Sequence, residues 1–280
     1  DMTYIVAVSG GVDSVVLLHM FAKEHQDIIV AHVDHGIRDD SADDARFVRA
    51  LAQLYGYPYK EERLALGQNA SEELAREKRY GFLQAVAEHY GGEIVTAHHA
   101  NDMVETVAIN LERGTGWRGL TVLNREGVIR PLLRYTKSEL YRYAMDHHLE
   151  WVEDKTNRDL RYLRNAIRAR LHGRISPEAH KELEQLRERQ IVLSLEVATE
   201  ARRLLQANGL SRYFFGQVDT ESGIELLGSA IRETRSVRPV RAQLERALLA
   251  NKTARPGTTH HVGSGVSLRF SSRVFSVEVV

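Results

Sequence analysis

Tyr4-Ile5-Val6-Ala7-Val8-Ser9-Gly10-Gly11-Val12-Asp13-Ser14 is the stretch that decides the fold. Five apolar residues in a row are the mark of a strand buried on both faces, and the two glycines that follow break it. Val12 to Phe21 then carries an apolar face at helical spacing. A buried strand that turns through glycine into a helix is half of a βαβ unit. Adjacent glycines let the backbone approach a ligand closely, and their N–H groups, with the first turn of the helix, form an anion nest. The hydroxyls of Ser9 and Ser14 can donate to phosphate oxygens. Asp13 cannot, so it either meets a phosphate-bound Mg²⁺ or caps the helix. There is no Lys of the kind that reaches the outer phosphates in a Walker A loop, so cleavage between those phosphates is not the expected reaction.

The same rhythm continues outward. Ile28 to Ala31, a short stretch near Tyr57 to Glu61, and Glu93 to Ala97 read as strands; Ser41 to Tyr55, Ser71 to Tyr90 and Asp102 to Leu111 read as helices. This alternation predicts an α/β fold, an open parallel sheet with helices on both faces. Beyond Arg130-Pro131-Leu132-Leu133 the strands stop. Helices are expected over Thr136 to His147, Tyr162 to Leu171, Pro177 to Leu205, Ile224 to Arg235 and Val240 to Asn251, with a hairpin-like β ending over Gly265 to Val280. At 280 residues two cores are expected, a catalytic domain over 1–174 and a smaller, mainly helical one over 175–280.

Charge and composition narrow the chemistry. The net charge is zero, but from Trp151 onward 22 Lys and Arg face 15 Asp and Glu, so the C-terminal part is the expected polyanion binder. Long helices carrying surface Arg and Glu would show the same excess. Cysteine is absent, which excludes disulfides, thiolate metal sites, iron–sulfur clusters and persulfide chemistry. No apolar run reaches the roughly 18 residues that cross a bilayer, and no signal-peptide pattern opens the chain. A cytoplasmic protein without a membrane partner is expected; a homo-oligomer is left open.

Two further segments leave strands where ligands gather in open parallel sheets, outside the carboxyl ends. Ala31-His32-Val33-Asp34-His35-Gly36-Ile37-Arg38 places Asp34 near a nucleotide. His98-His99-Ala100-Asn101-Asp102-Met103-Val104-Glu105-Thr106 puts Asp102 and Glu105 on one helix face. These acids can hold Mg²⁺ or a cationic substrate. Histidine-ligated metal at His32, His35, His98 and His99 is the rival reading, although adjacent histidines do not share a face. Arg113 in the Arg113-Gly114-Thr115-Gly116 stretch suits a phosphate or leaving group on a mobile lid, or simply ends a helix with a glycine stop. Arg164, Arg168 and Arg170 fall at helical spacing and could track a nucleic-acid backbone or be a solvated face.

Ser9-Gly10-Gly11-Val12-Asp13-Ser14 resembles the signature of the PP-loop ATP pyrophosphatase superfamily, whose fold is adenine nucleotide alpha hydrolase-like. That resemblance implies ATP, attack at the α-phosphate and release of pyrophosphate. The His32 to Arg38 and His98 to Thr106 segments resemble the tRNA(Ile)-lysidine synthetase branch, as do Ala75-Arg76 with Arg79-Tyr80, Arg113 to Gly116, Arg130 to Leu133, and Trp151 to Arg168. Asn101 departs from that branch, which commonly has a second Asp there. The branch implies adenylation of the wobble cytidine of tRNA(Ile) with a CAU anticodon and coupling of free L-lysine. Carried onto this chain, Ser9, Gly10, Gly11, Val12, Asp13, Ser14, Ala31 and His32 would contact ATP, and Asp13 would hold Mg²⁺. Asp34, Asp102, Glu105 and Arg113 would serve lysine and the reaction, and Arg164, Arg168 and Arg170 the tRNA. Base thiolation, which typically needs cysteine, and ammonia-dependent amidation of a small metabolite are the alternative reactions of the superfamily; a noncatalytic ATP-binding module would leave the later acids without a role.

Overall fold

The computed structural model describes residues 2–24, 27–34, 41–64, 72–153, 163–171, 173–235, 237 and 239–280. His35 and Arg38 of the second motif, and residues 154–162 of the last, lie outside the described residues. By internal contacts the chain divides into two units: residues 1–110 with 122–186, and 111–121 with 187–280.

The first unit is built on a five-stranded sheet of order β3-β2-β1-β4-β5, every pairing parallel. Its strands are β1 Tyr4–Ala7, β2 Ile28–Asp34, β3 Tyr59–Arg63, β4 Glu93–Val95 and β5 Val128–Ile129. The apolar run of β1 is central because both its faces are covered. Val6 and Val8 pack with Val16, Leu17 and Leu18 of α1 (Val12–Glu24) and with Leu140 and Ala144 of α5 (Lys137–Asp146); Ile5 packs with Tyr80 and Leu83 of α3 (Glu72–Tyr90). Helices α2 (Ser41–Tyr55) and α4 (Ala100–Glu112) complete the α/β alternation that the sequence predicts. Gly92, at the entry to β4, is required by space: a Cβ there would sit 2.6 Å from the Thr3 carbonyl oxygen. Helix α6 (Leu163–Leu171) follows.

Helix α7 (Pro177–Asn208) runs from the first unit into the second, whose remaining elements are α8 (Arg212–Gln217), α9 (Thr220–Arg235), α10 (Arg241–Thr253) and an antiparallel sheet β6-β7-β8 (Thr259–Gly263, Val266–Phe270, Phe275–Val279). Phe215, Leu227, Ile231, Leu244, Leu268 and Phe270 form its core. Arg212 staples it, donating to the carbonyls of Asn251, Ala254 and Ser271 while lying over the Phe270 ring. The β ending is thus a three-stranded meander, and β6 and α8 are additions to the sequence expectation. No helix among the described residues is long and apolar enough to cross a membrane.

Candidate active site

The loop after β1 is held open from within. Gly10 adopts φ +95°, a left-handed conformation that disfavours any side chain, although a Cβ there would meet Val48, Phe47 and Val152 only at ordinary contact distances. Its carbonyl accepts from Val152 N at 2.9 Å. Ser14 Oγ donates to Gly11 O (2.9 Å) and accepts from Ser9 N (3.1 Å), so this buried hydroxyl braces the loop, while Ser9 is exposed. Among the described residues no acceptor is found for the N–H groups of Val12 and Asp13. Unpaired donors at a helix start beside a left-handed glycine fit phosphate oxygens.

Asp13 is not vacant. Lys137 Nζ lies 2.7 Å from each of its carboxylate oxygens, and the Lys137 backbone N–H donates to Asn101 Oδ1 at 2.9 Å. Asn101, the departure from the branch pattern, therefore loses nothing as an acceptor. Thr136 caps α5 through a capping box with Glu139, which fixes where Lys137 begins the helix. Sequence reading misses Lys137, because its partner is 124 residues away.

At the end of β4, His99 is buried between two carboxylates, its Nε2 3.7 Å from Asp13 Oδ2 and 3.5 Å from Asp102 Oδ2. Its Nδ1 is buried without a partner among the described residues, and its backbone N–H donates to Asp102. Burial opposes the charge of Asp102, but His99, His98, that backbone donor and Arg164 outweigh it and hold the carboxyl below its ordinary range. His98 is pushed down to about 3 by burial, with the fields of Arg79, Arg130 and Arg76 adding to it and Asp102 opposing. It is a neutral imidazole at pH 7.

Glu105, also buried, is gripped by both arms of Arg168, Nε to Oε1 at 2.6 Å and Nη2 to Oε2 at 3.0 Å. Arg168 also feels Asp102 and Asp13. Asp13, Lys137, His99, Asp102, Glu105 and Arg168 thus form one neighbourhood. Arg168 is committed to Glu105 and turns its charge inward, and Arg164 lies close enough to Asp102 to stabilise its anion, so neither is simply a phosphate contact on an outer face; Arg170 is exposed. Asp34, buried at the end of β2, pairs with Arg63 across the β2–β3 register instead of standing free.

Ala31 and His32 brace the exit of β1: Val8 N donates to Ala31 O, and His32 Nδ1 lies 2.8 Å from Val8 O. Helix α4 stops at Glu112 and Gly114 takes φ +65°, the glycine stop read as the alternative to a lid. Arg113 is exposed, and its segment groups with the second unit, where Arg118 donates to Glu225 (2.6 and 2.9 Å) and to Ser194 (2.7 Å). Among the described residues no three His, Asp or Glu side chains form a cage for a metal. The donor set suits Mg²⁺ only as Asp13 plus phosphate oxygens, the sparse arrangement this ion accepts, and only once Lys137 has moved aside.

The PP-loop domain family matches residues 1–175, more than half of the chain. The chain belongs to the PP-loop family. A tRNA(Ile)-lysidine synthase of Thermus thermophilus is 43% identical over 173 residues, covering 59% of this PP-loop chain and 34% of that protein. One from Haemophilus influenzae is 33% identical over 235 residues, covering 78% and 51%. The chain therefore spans about a third to a half of the length of these curated relatives. Among solved structures, a U34-tRNA thiolase from Methanococcus maripaludis with its 4Fe–4S cluster aligns with TM-score 0.57 at 18% identity, over 69% of this chain and 72% of that one. That likeness is one of PP-loop fold.

Proposed function

We propose that this chain carries the chemistry of a tRNA(Ile)-lysidine synthase: ATP-dependent ligation of L-lysine to C2 of the wobble cytidine of tRNA(Ile), with release of pyrophosphate and AMP. The observation that carries the reading is the 43% identity over 173 residues to a protein of that name, in a chain whose PP-loop match, residues 1–175, holds both the Ser9–Ser14 loop and the acids Asp102 and Glu105.

ATP phosphates rest on the unpaired N–H groups of Val12 and Asp13 and on Ser9. Mg²⁺, held by Asp13, would neutralise phosphate charge. Lys137 leaves Asp13 for the phosphates as they arrive, exchanging one anion for another at little electrostatic cost. The cytidine O2 bonds to the α-phosphorus as the bond to pyrophosphate breaks. The lysine ε-nitrogen then bonds to C2, and the C2–O bond breaks to release AMP. Asp102 supplies the charge that holds the ammonium, since Glu105 is neutralised by Arg168 and Asp34 by Arg63. A nitrogen must be neutral to attack, so the ε-ammonium, with an ordinary pKa near ~10.4, first loses a proton to water; the neutral amine then bonds to C2, and the proton it sheds as the N–C bond forms leaves by way of Asp102. His98 is neutral at pH 7 and adds no positive charge to the ammonium site. The basic C-terminal region, with Arg170, grips the tRNA.

Radiolabelled ATP–pyrophosphate exchange tests the first half-reaction. Exchange that requires tRNA(Ile) but not lysine supports the reading; exchange driven by a small molecule without tRNA contradicts it.

A further inference from the structure

Four arginines crowd one buried tyrosine at the β5 side of the sheet. The guanidinium carbons of Arg125, Arg79 and Arg76 lie 4.3, 5.4 and 5.9 Å from the centroid of the Tyr80 ring, and Arg130 Nη2 approaches its hydroxyl at 3.4 Å. Cation–π attraction holds the first three guanidinium groups to the ring, but like charges this close repel one another, and an anion relieves that repulsion. Among the described residues Arg76, Arg125 and Arg130 form no ion pair with any carboxylate. Arg130 is the sharpest case. It is 9% exposed, Nη1 donates to Val128 O at 3.1 Å, and its Nε is buried without a partner among the described residues. A buried cation with an idle donor and no counter-charge is costly unless a ligand completes it.

The place is as informative as the charge. Arg130 follows the carboxyl end of β5, and the strand order puts β4, with Thr96 to His99 at its exit, between it and the β1 loop. Two strand spacings separate β5 from β1, about 10 Å. Burial depresses His98, and the positive charges of Arg79, Arg130 and Arg76 add to it, as expected of a cluster at the edge of the active site. A phosphate bound there lies beside the reacting base and apart from the triphosphate.

We propose that Arg76, Arg79, Arg125 and Arg130, arrayed around Tyr80, form a second phosphate-binding site, filled by a backbone phosphodiester of the polynucleotide whose base enters at the β4 exit. The choice of an RNA phosphate rests on the lysidine synthase reading; the anion site itself rests on the arginines. Guanidinium forks bind phosphate in a fixed orientation and carry no base specificity, so the site would hold the target nucleotide in register while other contacts choose it.

Arg125→Gln and Arg76→Gln are the variants of choice, because Arg125 is exposed and Arg76 half-buried, whereas replacing Arg130 empties a buried position. Affinity for a tRNA(Ile) transcript is measured on the full chain across a KCl series, alongside affinity for ATP and the thermal midpoint. Each variant is expected to weaken tRNA binding three- to tenfold and to reduce the slope of log K against log salt by about 0.7 to 0.9, with ATP affinity and thermal midpoint unchanged. If ATP affinity falls while the tRNA slope holds, the site binds phosphate but the source is the nucleotide. If neither changes in folded variants, the arginines only scaffold Tyr80 and the proposal is overturned. Should the unaltered chain bind ATP but no tRNA, the proposed function fails by itself; the ATP arm then decides the site, and unchanged ATP affinity in both variants removes it.

Discussion

Replacing Arg168 by Ala leaves the buried Glu105 carboxylate without the guanidinium that grips both its oxygens, and the cost follows from the geometry. Breaking a fully buried ion pair by removing one member costs roughly 3–5 kcal/mol. The side chain of Glu105 is 4% exposed but that of Arg168 is 41% exposed, so water enters the vacated space and solvates part of the remaining charge. About 2 kcal/mol is expected after that discount. For a folded unit of this size that is a fall in thermal midpoint of about 4–8 °C. The comparison is made by urea denaturation at pH 7.5 on four proteins: wild type, Arg168→Ala, Glu105→Gln and the double variant. The double variant should recover most of the loss, because the orphaned charge is gone. The tRNA salt slope should stay unchanged in Arg168→Ala, since both guanidinium arms serve Glu105. A loss below about 0.5 kcal/mol, or a double variant no better than the single one, would refute the anchoring role.

Three further outcomes are expected. His98 is neutral in the fold and ordinarily titrates near 6.5, so the unfolded chain binds the extra proton between about 6.5 and about 3. Stability therefore falls as pH drops through that window, by at most ~1.4 kcal/mol per unit from this group, and His98→Gln should lose visibly less than wild type between pH 7.5 and 5.5 in urea titrations. Lys137→Met should weaken ATP binding about tenfold by calorimetry, about 1.4 kcal/mol, with lysine binding unaffected; equal ATP affinity would leave Lys137 as a mere partner of Asp13. Gly92→Ala should destabilise the fold by about 1–3 kcal/mol, because its Cβ meets the Thr3 carbonyl, and a neutral result would mean that β1 and β4 yield there.

The parallel sheet is legible in the sequence because its signals are local. An unbroken apolar run, two glycines and a helical apolar face sit side by side from Tyr4 to Phe21, and the observed α1 differs only in running on to Glu24. Helix α8 escapes because six residues of Arg-Tyr-Phe-Phe-Gly-Gln are too few to display a period, and β6 because Thr-His-His-Val-Gly buries fully only Val262. The acids of the site are legible as residues but not in their state of charge. Lys137, Arg168 and Arg63 neutralise Asp13, Glu105 and Asp34, and two of these pairings join residues 124 and 63 positions apart. Spacing along a chain carries no trace of such pairs; only the folded sheet, which gathers loop ends at one edge, creates them. The same holds for the arginines around Tyr80, which appear in the sequence as two separate fragments.

The proposed reaction joins lysine to a cytidine in tRNA(Ile). Its most direct test is incubation with ATP, labelled L-lysine and a CAU-anticodon tRNA(Ile) transcript, followed by digestion and analysis of the nucleosides. Label is expected in a modified cytidine, dependent on ATP and lost when the wobble base is changed to uridine. ATP turned over with tRNA present but no label in the RNA, or label that survives the change of base, would contradict it.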